Sequence, residues 1–546
     1  MGAGAVEGKP ETSAADWWRG AVIYQIYPRS FRDSDGDGVG DLKGVLEKLD
    51  YVASLGVHGI WLSPFFRSPM KDFGYDVSDY RDVDPLFGDL ADFDAVLARA
   101  HALGLKVIID QVWSHTSNLH PWFIESAGSR ENPKADWYVW AEAKPDGTPP
   151  NNWQAVFGGP SWTWNPRRRQ YYLHDFLSEQ PDLNYWNDEV QEAILGVARY
   201  WLDRGVDGFR LDVINHIFHD RSLRDNPIAS YASPPTTTTQ FQRHVRDKSQ
   251  PEALDFLARL RTLTDLYDAR MLVGEVFDED MLERQQEYTA PPDRLHTAYS
   301  FFLLHAPAAT PALFAEALRA WAHAPGWPSW SLGNHDVERV ASRLARSGDR
   351  RQADILLAVL LCLRGTIFLY QGEELGLPQA DVPFEKLQDP FAIAAYTGGS
   401  GRDGARTPMP WTPDGPSAGF SAGAETWLPL EPAHRSLAVA SQERAAGSTL
   451  NLTRRLIALR RSARALALGD AAVQATPAGV LGFERRLADE RLLCLFDLAG
   501  EGAVVPAPGV GEVLAAFNAA GPGAPGFVEL PPFGGVVIRL ARSEVV

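Results

Sequence analysis

Hydrophobic positions along the chain alternate between two periods. Leu42, Val45, Leu46, Leu49 and Val52 recur at the spacing of one helix face, Gly56 stops the run, and Gly59-Ile60-Trp61-Leu62 follows as an apolar stretch. Phe93, Val96, Leu97 and Ala100 repeat the pattern, with Gly104 ahead of Leu105 to Ile109. Val190, Ile194, Val197 and Trp201 do so again, closed by Gly205 before Val206. Leu254, Leu257, Leu260 and Tyr267 precede Met271 to Val273 in the same manner. Each unit reads as helix, glycine stop, buried strand. Alternating units of this kind imply a parallel sheet, and their number favours a closed (β/α)8 TIM barrel, an α/β fold, over an open sheet.

Two stretches break the cadence. Residues 116–184 are rich in Trp, Pro, Gly and Asn without a clear helical period, and an excursion that long predicts an inserted subdomain after strand three. A second, Pro- and Gly-rich excursion covers about 376–435. From about Ala471 the pattern turns strand-like, with Gly479 to Arg485, Leu492 to Phe496 and Gly535 to Leu540 as candidates. The expected organisation is a catalytic barrel over 1–115 and 185–470, a subdomain over 116–184, and an all-β C-terminal sandwich over 471–546. Asp220 to Gln250, with Pro234-Pro235 and four successive threonines, is expected to be a mobile loop near the acceptor side of any site.

The strand ends carry charge. In Val206-Asp207-Gly208-Phe209-Arg210-Leu211-Asp212, alternation puts Arg210 and Asp212 on one side and Phe209 and Leu211 on the other. An isolated Arg-x-Asp is more often a structural salt bridge. Here, however, Leu105 to Ile109 also leads into Asp110, Ser114 and His115, Met271 to Gly274 into Glu275, and Trp330 to Asn334 into His335 and Asp336. Barrel enzymes carry their chemistry at the C-terminal ends of several strands. Two carboxyl groups across a scissile bond are what glycoside hydrolysis requires.

Composition narrows the partners. With 546 residues and 45% hydrophobic content the chain buries a large core, and a formal charge of −18 argues against nucleic acid or an anionic membrane as partner. Cys362 and Cys494 both lie in apolar runs and are expected to be buried free thiols. Met1 to Asp16 lacks a basic region followed by an apolar one, and the longest apolar run, Ile355 to Leu363, is far below the ~20 residues that span a bilayer. The expected location is the cytoplasm, as a monomer or homodimer.

These motifs, with Asp110-Gln111-Val112-Trp113-Ser114-His115, Gly208-Phe209-Arg210-Leu211-Asp212, Gly274-Glu275-Val276, Asn334-His335-Asp336 and Gln180-Pro181-Asp182-Leu183-Asn184 in order, resemble the α-amylase superfamily, glycoside hydrolase family 13. The resemblance runs from about Trp17 to Arg464 and is to the α-glucosidase and oligo-1,6-glucosidase branch. It implies an exo-acting, retaining α-glucosidase for small oligosaccharides or aryl α-glucosides, with transglucosylation. In it Asp212 is the nucleophile, Glu275 the acid/base, and Asp336 the carboxylate that holds sugar hydroxyls. Arg210 would keep Asp212 ionised, and His115 and His335 would bond the sugar ring. Asp72 and Tyr75 resemble the family's pocket wall, Arg402 the arginine that closes its end, and Phe157 a rim residue. Val213, after the nucleophile, resembles enzymes that accept α-1,6 linkages. Sucrose isomerases and other glucosyltransferases share the first half-reaction and stand as the alternative. Non-enzymatic transporter heavy chains lack the carboxylates, and a silent sugar binder is the remaining non-enzymatic reading. No organic cofactor is implied.

One acidic loop adds a cation. Asp33, Asp35, Asp37 and Asp41 occupy positions one, three, five and nine of a loop, with the Val39 carbonyl at seven, the oxygen ligands a hard cation takes. Gly44 stands at position twelve, so the loop is not an EF-hand, and it resembles the cation loop of oligo-1,6-glucosidases. One structural divalent ion is expected there, calcium first and magnesium second. Ser114 replaces the Asn with which many amylases hold a further calcium, so no second ion is expected.

Overall fold

The computed structural model describes residues 14–230, 238–345, 347–394, 401–423, 425–507 and 509–541. Eight strands form one parallel sheet: β1 (Val22–Ile26), β2 (Gly59–Leu62), β3 (Lys106–Val112), β4 (Gly208–Asp212), β5 (Met271–Val276), β6 (Thr297–Ser300), β7 (Ser329–Trp330) and β8 (Thr366–Tyr370). Their order is β6-β5-β4-β3-β2-β1-β8-β7, and a parallel bridge between Ala298 and Pro328 joins the two ends into a barrel. Nearly every strand residue is buried, as expected for a parallel sheet covered by helices on its outside.

Each strand is followed by a helix: α1 (Leu42–Ser54), α2 (Leu90–Ala102), α3 (Asp188–Arg204), α4 (Glu252–Thr264), α5 (Met281–Thr289), α6 (Pro311–Ala320), α7 (Arg350–Cys362) and α8 (Thr449–Ser462). The glycine stops have a local cause. Gly205 ends α3 in the left-handed region at φ 103°, where a side chain is strained. Gly208 admits β5 alongside β4, because a Cβ there would lie 2.1 Å from the Met271 carbonyl oxygen. Inside the barrel Ile23, Trp61, Ile108, Val273, Tyr299 and Phe368 make a packed layer, so the polar strand ends sit above a dry floor.

Some strands differ from the sequence reading. β3 continues through Asp110 to Val112, and Glu275 lies within β5. The expected strand over Trp330 to Asn334 shrinks to Ser329–Trp330, because side chains take over the backbone bonding beyond it. Ser331 Oγ donates to the Gly333 carbonyl (2.5 Å), and Asn334 Oδ1 accepts from the amides of Asp336 (2.9 Å) and Val337 (3.1 Å). Asp336 is thereby presented on a loop.

The stretch after β3 holds a three-stranded sheet (Trp140–Ala141, Trp162–Asn165, Gln170–Leu173) and also a helix, Pro121–Gly128. That helix escapes a periodicity search because only Phe123 and Ser126 of its residues are buried. Beyond α8, a five-stranded sheet begins at Asp470 and includes Val480–Leu487, Glu490–Asp497, Val510–Phe517 and Gly535–Leu540. A three-stranded sheet covers one of its faces through Val480, Leu495, Val528, Leu530 and Ile538. The opposite face, with Leu481, Phe483, Cys494 and Val537, joins the barrel's core. Cys362 and Cys494 are free and buried there, and burial pushes the Cys494 thiol up. Among the described residues no helix is long and apolar enough to cross a membrane. Pro234-Pro235 of the expected loop lie outside the described residues; Thr238–Phe241 beyond them form a short 3-10 helix.

Candidate active site

Arg210 organises the centre. It is fully buried, and its Nη1 donates to Asp212 Oδ1 (2.5 Å) and Asp110 Oδ1 (2.9 Å) while Nη2 donates to Glu275 Oε2. The register explains the meeting: Arg210 pairs with Asp110 on β3 and with Val273 on β5, two residues before Glu275. Three buried carboxyl groups around one cation cannot all ionise cheaply. Burial pushes the Asp110 carboxyl up to about 7, with Arg210 pulling it down and Asp212 raising it. Burial likewise pushes Glu275 well above the usual carboxylate range; Arg210 opposes this, and Asp212 and Asp336 add to it. Glu275 is thus suited to hold a proton beside an arginine-paired Asp212.

Both carboxyl groups open into a cavity of about 280 Å³. Its wall around Arg402 is polar. Arg402 Nη2 donates to Asp72 Oδ1 and to Asp389 Oδ1 (2.8 Å each), and Nη1 reaches Asp336 Oδ1 at 3.4 Å. Arg406 Nη2 donates to the same Asp336 oxygen at 2.7 Å. Burial alone would raise Asp336, but His335, Arg406 and Arg402 hold its carboxyl well below the usual range. A carboxylate that stays charged in a closed pocket is suited to bonding sugar hydroxyls and to stabilising positive charge at a reacting carbon.

The other expected residues fall around this centre in two tiers. Asp72, Tyr75, His115, Phe157, Val213 and Arg402 line the cavity. Tyr75 lies flat on His335 (5.5 Å between centroids, 3° between planes), and its hydroxyl meets His335 Nε2 at 2.7 Å and Asp110 Oδ2 at 3.2 Å. His335 itself has no exposed side-chain surface, and both ring nitrogens face protein groups, Gln25 on one side and Tyr75 and Asp336 on the other. It supports the wall from behind instead of facing the cavity as the sequence suggested. His115 is held through Ser114 Oγ (2.8 Å), the Tyr75 carbonyl (3.0 Å) and Gln180 (3.1 Å). The Arg402 guanidinium packs 5.0 Å over the Phe157 ring.

Val213 shows how a residue on the wrong side of an ideal strand reaches the cavity. β4 ends at Asp212, and Val213 takes φ 35°, ψ 45°, a left-handed conformation that a β-branched residue rarely adopts. The kink turns its side chain into the cavity and aims its amide at Glu275 Oε2, 3.2 Å away.

Several site residues were not singled out in the sequence. Arg406 and Gln180 lie inside quoted motifs, but nothing local separates them from their neighbours. Asp389, which anchors Arg402, sits in the irregular excursion where no period operates. Phe176, His216, Phe277 and Phe391 line the same cavity and come from four separate segments.

The acidic loop forms as a tight coil. Carboxylate oxygens of Asp33, Asp35 and Asp37 lie within 4.8 Å of one another. Asp33 accepts from the amides of Gly36 (2.6 Å), Asp35 (3.0 Å) and Gly38 (2.8 Å). Asp37 is pushed up by burial and by repulsion from Asp35, Asp33 and Asp41, with the Val39 amide opposing. That uncompensated repulsion suits a cation, so the residues fit the expected ion. Asp41 stands outside the group of three: it caps α1 through Gly44 (2.7 Å) and accepts from the Ser34 amide and hydroxyl (2.8 and 3.0 Å).

With this geometry in hand, likeness to known proteins is informative. The probable alpha-glucosidase of Rhizobium meliloti (strain 1021) is 52% identical over 506 residues, spanning 90% of this chain and 91% of its own. Among solved structures, an alpha-glucosyl transfer enzyme superposes with a TM-score of 0.92 at 50% identity, covering 96% of this chain and 99% of its own. The trehalulose synthase of Pseudomonas mesoacidophila superposes with a TM-score of 0.89 at 31% identity, covering 97% and 100%. Residues 25–469 match the alpha-amylase catalytic domain, and with the barrel, the paired carboxyl groups and these relatives the chain belongs to that family of glycoside hydrolases.

Proposed function

We propose that this protein is a retaining, exo-acting α-glucosidase that releases one glucose from the non-reducing end of short α-glucosides and passes it to water or to another sugar. The observation that carries this reading is one buried guanidinium bridging Asp212 and Glu275 at the floor of a cavity whose far end is shut by Asp72 and Arg402. Carboxyl groups that share one guanidinium stand close together, the arrangement of retaining glycosidases in which the carboxylate itself, here Asp212, attacks the anomeric carbon. Glu275 gives its proton to the departing oxygen and then removes one from the incoming hydroxyl. Asp336 and Arg402 hold the glucose ring. The closed end admits one ring, which sets exo action.

Transfer to sugars is the second reading, favoured by the apolar surface that Val156, Phe157, Phe176, Phe277 and Phe391 give the cavity wall, against which an acceptor sugar could pack. Product analysis on maltose, isomaltose, sucrose and trehalose separates the two: free glucose throughout supports hydrolysis, and accumulation of new di- and trisaccharides supports transfer. NMR of the first-formed glucose is expected to show the α-anomer. Initial β-glucose would refute the retaining mechanism.

Linkage preference is assigned to Val213, which lines the cavity beside Glu275. Val and Thr differ in hydration more than in shape. Val213→Thr is expected to lower the isomaltose-to-maltose activity ratio several-fold, and an unmoved ratio would remove Val213 as the determinant.

The cation proposal is one structural divalent ion, calcium before magnesium, on Asp33, Asp35 and Asp37 with the Val39 carbonyl. When bound it neutralises the clustered carboxylates. Chelation is expected to lower the melting temperature, and returned calcium to restore it as a ligand of the folded state does, by about 2.7 kcal/mol at one hundred times its Kd. Asp35→Ala should melt as the chelated wild type does and ignore added calcium; a calcium response retained in that variant would contradict the assignment.

A further inference from the structure

One buried cation takes no part in the mechanism above. Arg29 sits in the short 3-10 turn Pro28–Ser30 that follows β1, and only 8% of it is exposed. Its Nε and Nη2 have no hydrogen-bond partner among the described residues. What surrounds the guanidinium is aromatic. The ring centroids of Phe73, Phe87 and Trp427 lie 5.3, 5.7 and 5.1 Å from its Cζ. A cation withdrawn from water with so few acceptors is stabilised by ring faces, and that attraction is strongest where it is desolvated.

Phe73 is the member of this cage that belongs to the cavity wall. It lies between Asp72 and Tyr75, which line the cavity, and its backbone takes φ 51°, a left-handed conformation that an aromatic residue rarely enters. Such a conformation persists only where its surroundings hold it. The turn closes through the Tyr75 amide, which donates to the Asp72 carbonyl at 3.0 Å. Two further groups meet the Phe73 ring: Trp427 packs at 5.4 Å, and the Arg406 guanidinium lies 5.6 Å away. Arg406 is also the donor to Asp336. One ring thus attracts two guanidiniums that repel each other, and it joins the wall turn to the loop of Asp336.

Resting on the α-glucosidase reading, we propose that Arg29 is a positioning residue for the glucose ring: through Phe73 it fixes the turn that presents Asp72 and Tyr75, and so sets how tightly glucose is held. Arg29 itself touches no substrate. On that reading Asp72 and Tyr75 hold the ring while Asp212 and Glu275 carry the reaction. Loosening the turn then weakens the ground state and the transition state together, so KM rises with little change in kcat. Trp427 braces the same cage from the second excursion, where its Nε1 donates to Ser30 Oγ at 3.1 Å, one residue beyond Arg29.

The test uses the full-length protein and three readouts: kcat and KM for p-nitrophenyl α-glucoside, the Ki of 1-deoxynojirimycin (an iminosugar that copies the glucose ring), and the melting temperature. Arg29→Met keeps the side chain's length and removes its charge. It is expected to raise KM and Ki about tenfold, the scale of one desolvated cation–π pair, while kcat stays within about threefold. Arg29→Lys keeps a cation for the ring faces and should recover most of both. Phe73→Leu removes the ring face and should raise Ki by a similar factor. Arg29→Met combined with Phe73→Leu should be no worse than either alone, because both remove the same interaction. A role in folding alone would lower the melting temperature and leave the Ki of the folded protein unmoved. A Ki within about twofold of wild type in Arg29→Met overturns the proposal, as does a lysine variant no better than the methionine one, or a double variant whose factors multiply. Should Arg29→Met not fold, Phe73→Leu decides, and a Ki there within twofold of wild type overturns the proposal. Wild-type protein that neither hydrolyses the aryl glucoside nor binds the iminosugar overturns the α-glucosidase reading and this inference together, whereas wild-type activity with an unmoved Ki in the variants overturns this inference alone.

Discussion

Asp212→Asn is expected to reduce turnover of every α-glucoside by at least about four orders of magnitude, the scale seen when a covalent nucleophile or its partner is removed. The amide keeps the shape of the carboxylate and can still accept from Arg210 Nη1, which in the native protein lies 2.5 Å from Asp212. The buried guanidinium also keeps Asp110 and Glu275. No cavity is opened and no charge is stranded. The melting temperature should therefore move by no more than about 2–4 °C, equivalent to ~1 kcal/mol for a barrel of this size. Activity and stability separate in this variant, and that separation identifies a chemical role. Activity within tenfold of wild type would remove Asp212 from the reaction, and a collapse in melting temperature would make the loss one of folding.

Glu275→Gln gives the second large effect, and its size should depend on the leaving group. For maltose the departing sugar oxygen needs a proton, and kcat/KM is expected to fall by roughly 10²–10⁴. A nitrophenolate departs without one, so kcat/KM for the aryl glucoside should fall far less, while its kcat stays low because water then lacks a base. Equal losses of kcat/KM on the two substrates would sink the assignment. The pH profile carries the same signature. Glu275 is raised, first by burial and then by Asp212 and Asp336. Its acid form is present below the raised pKa and is lost as pH rises through it. The alkaline limb of kcat/KM on maltose should accordingly lie well above the pH at which an ordinary glutamate ionises, and it should be shallower for the aryl glucoside. Asp336 is shifted the other way by His335, Arg406 and Arg402, which overcome its burial. It stays charged across the whole working range and adds no limb near neutral pH.

The amino-acid sequence by itself determined the barrel and the ends of its strands. Helical spacing, a glycine and a short apolar run are all local signals, and Gly205 and Gly208 sit where backbone geometry demands them. Arg210, Asp212, Glu275 and Asp336 were legible for a related reason, since charges that follow several apolar runs in succession are costly to bury unless those runs open into one site. Tertiary structure decided what those charges do. Which carboxyl group carries the proton depends on Arg210 pairing with three carboxylates drawn from β3, β4 and β5, and that sharing exists only once the register is set. The pocket's closed end needs Asp72, Asp389 and Arg402 brought together across 330 residues of chain. The helix in the inserted subdomain was hidden by its short buried face, and the strand before Asp336 was read too long because side chains take over the backbone bonds beyond Trp330. Val213 reached the cavity through a left-handed kink that no alternation rule predicts. His216 escaped the sequence reading for a different reason: it enters the cavity wall paired with Asp175 of the inserted subdomain, a contact no local pattern predicts.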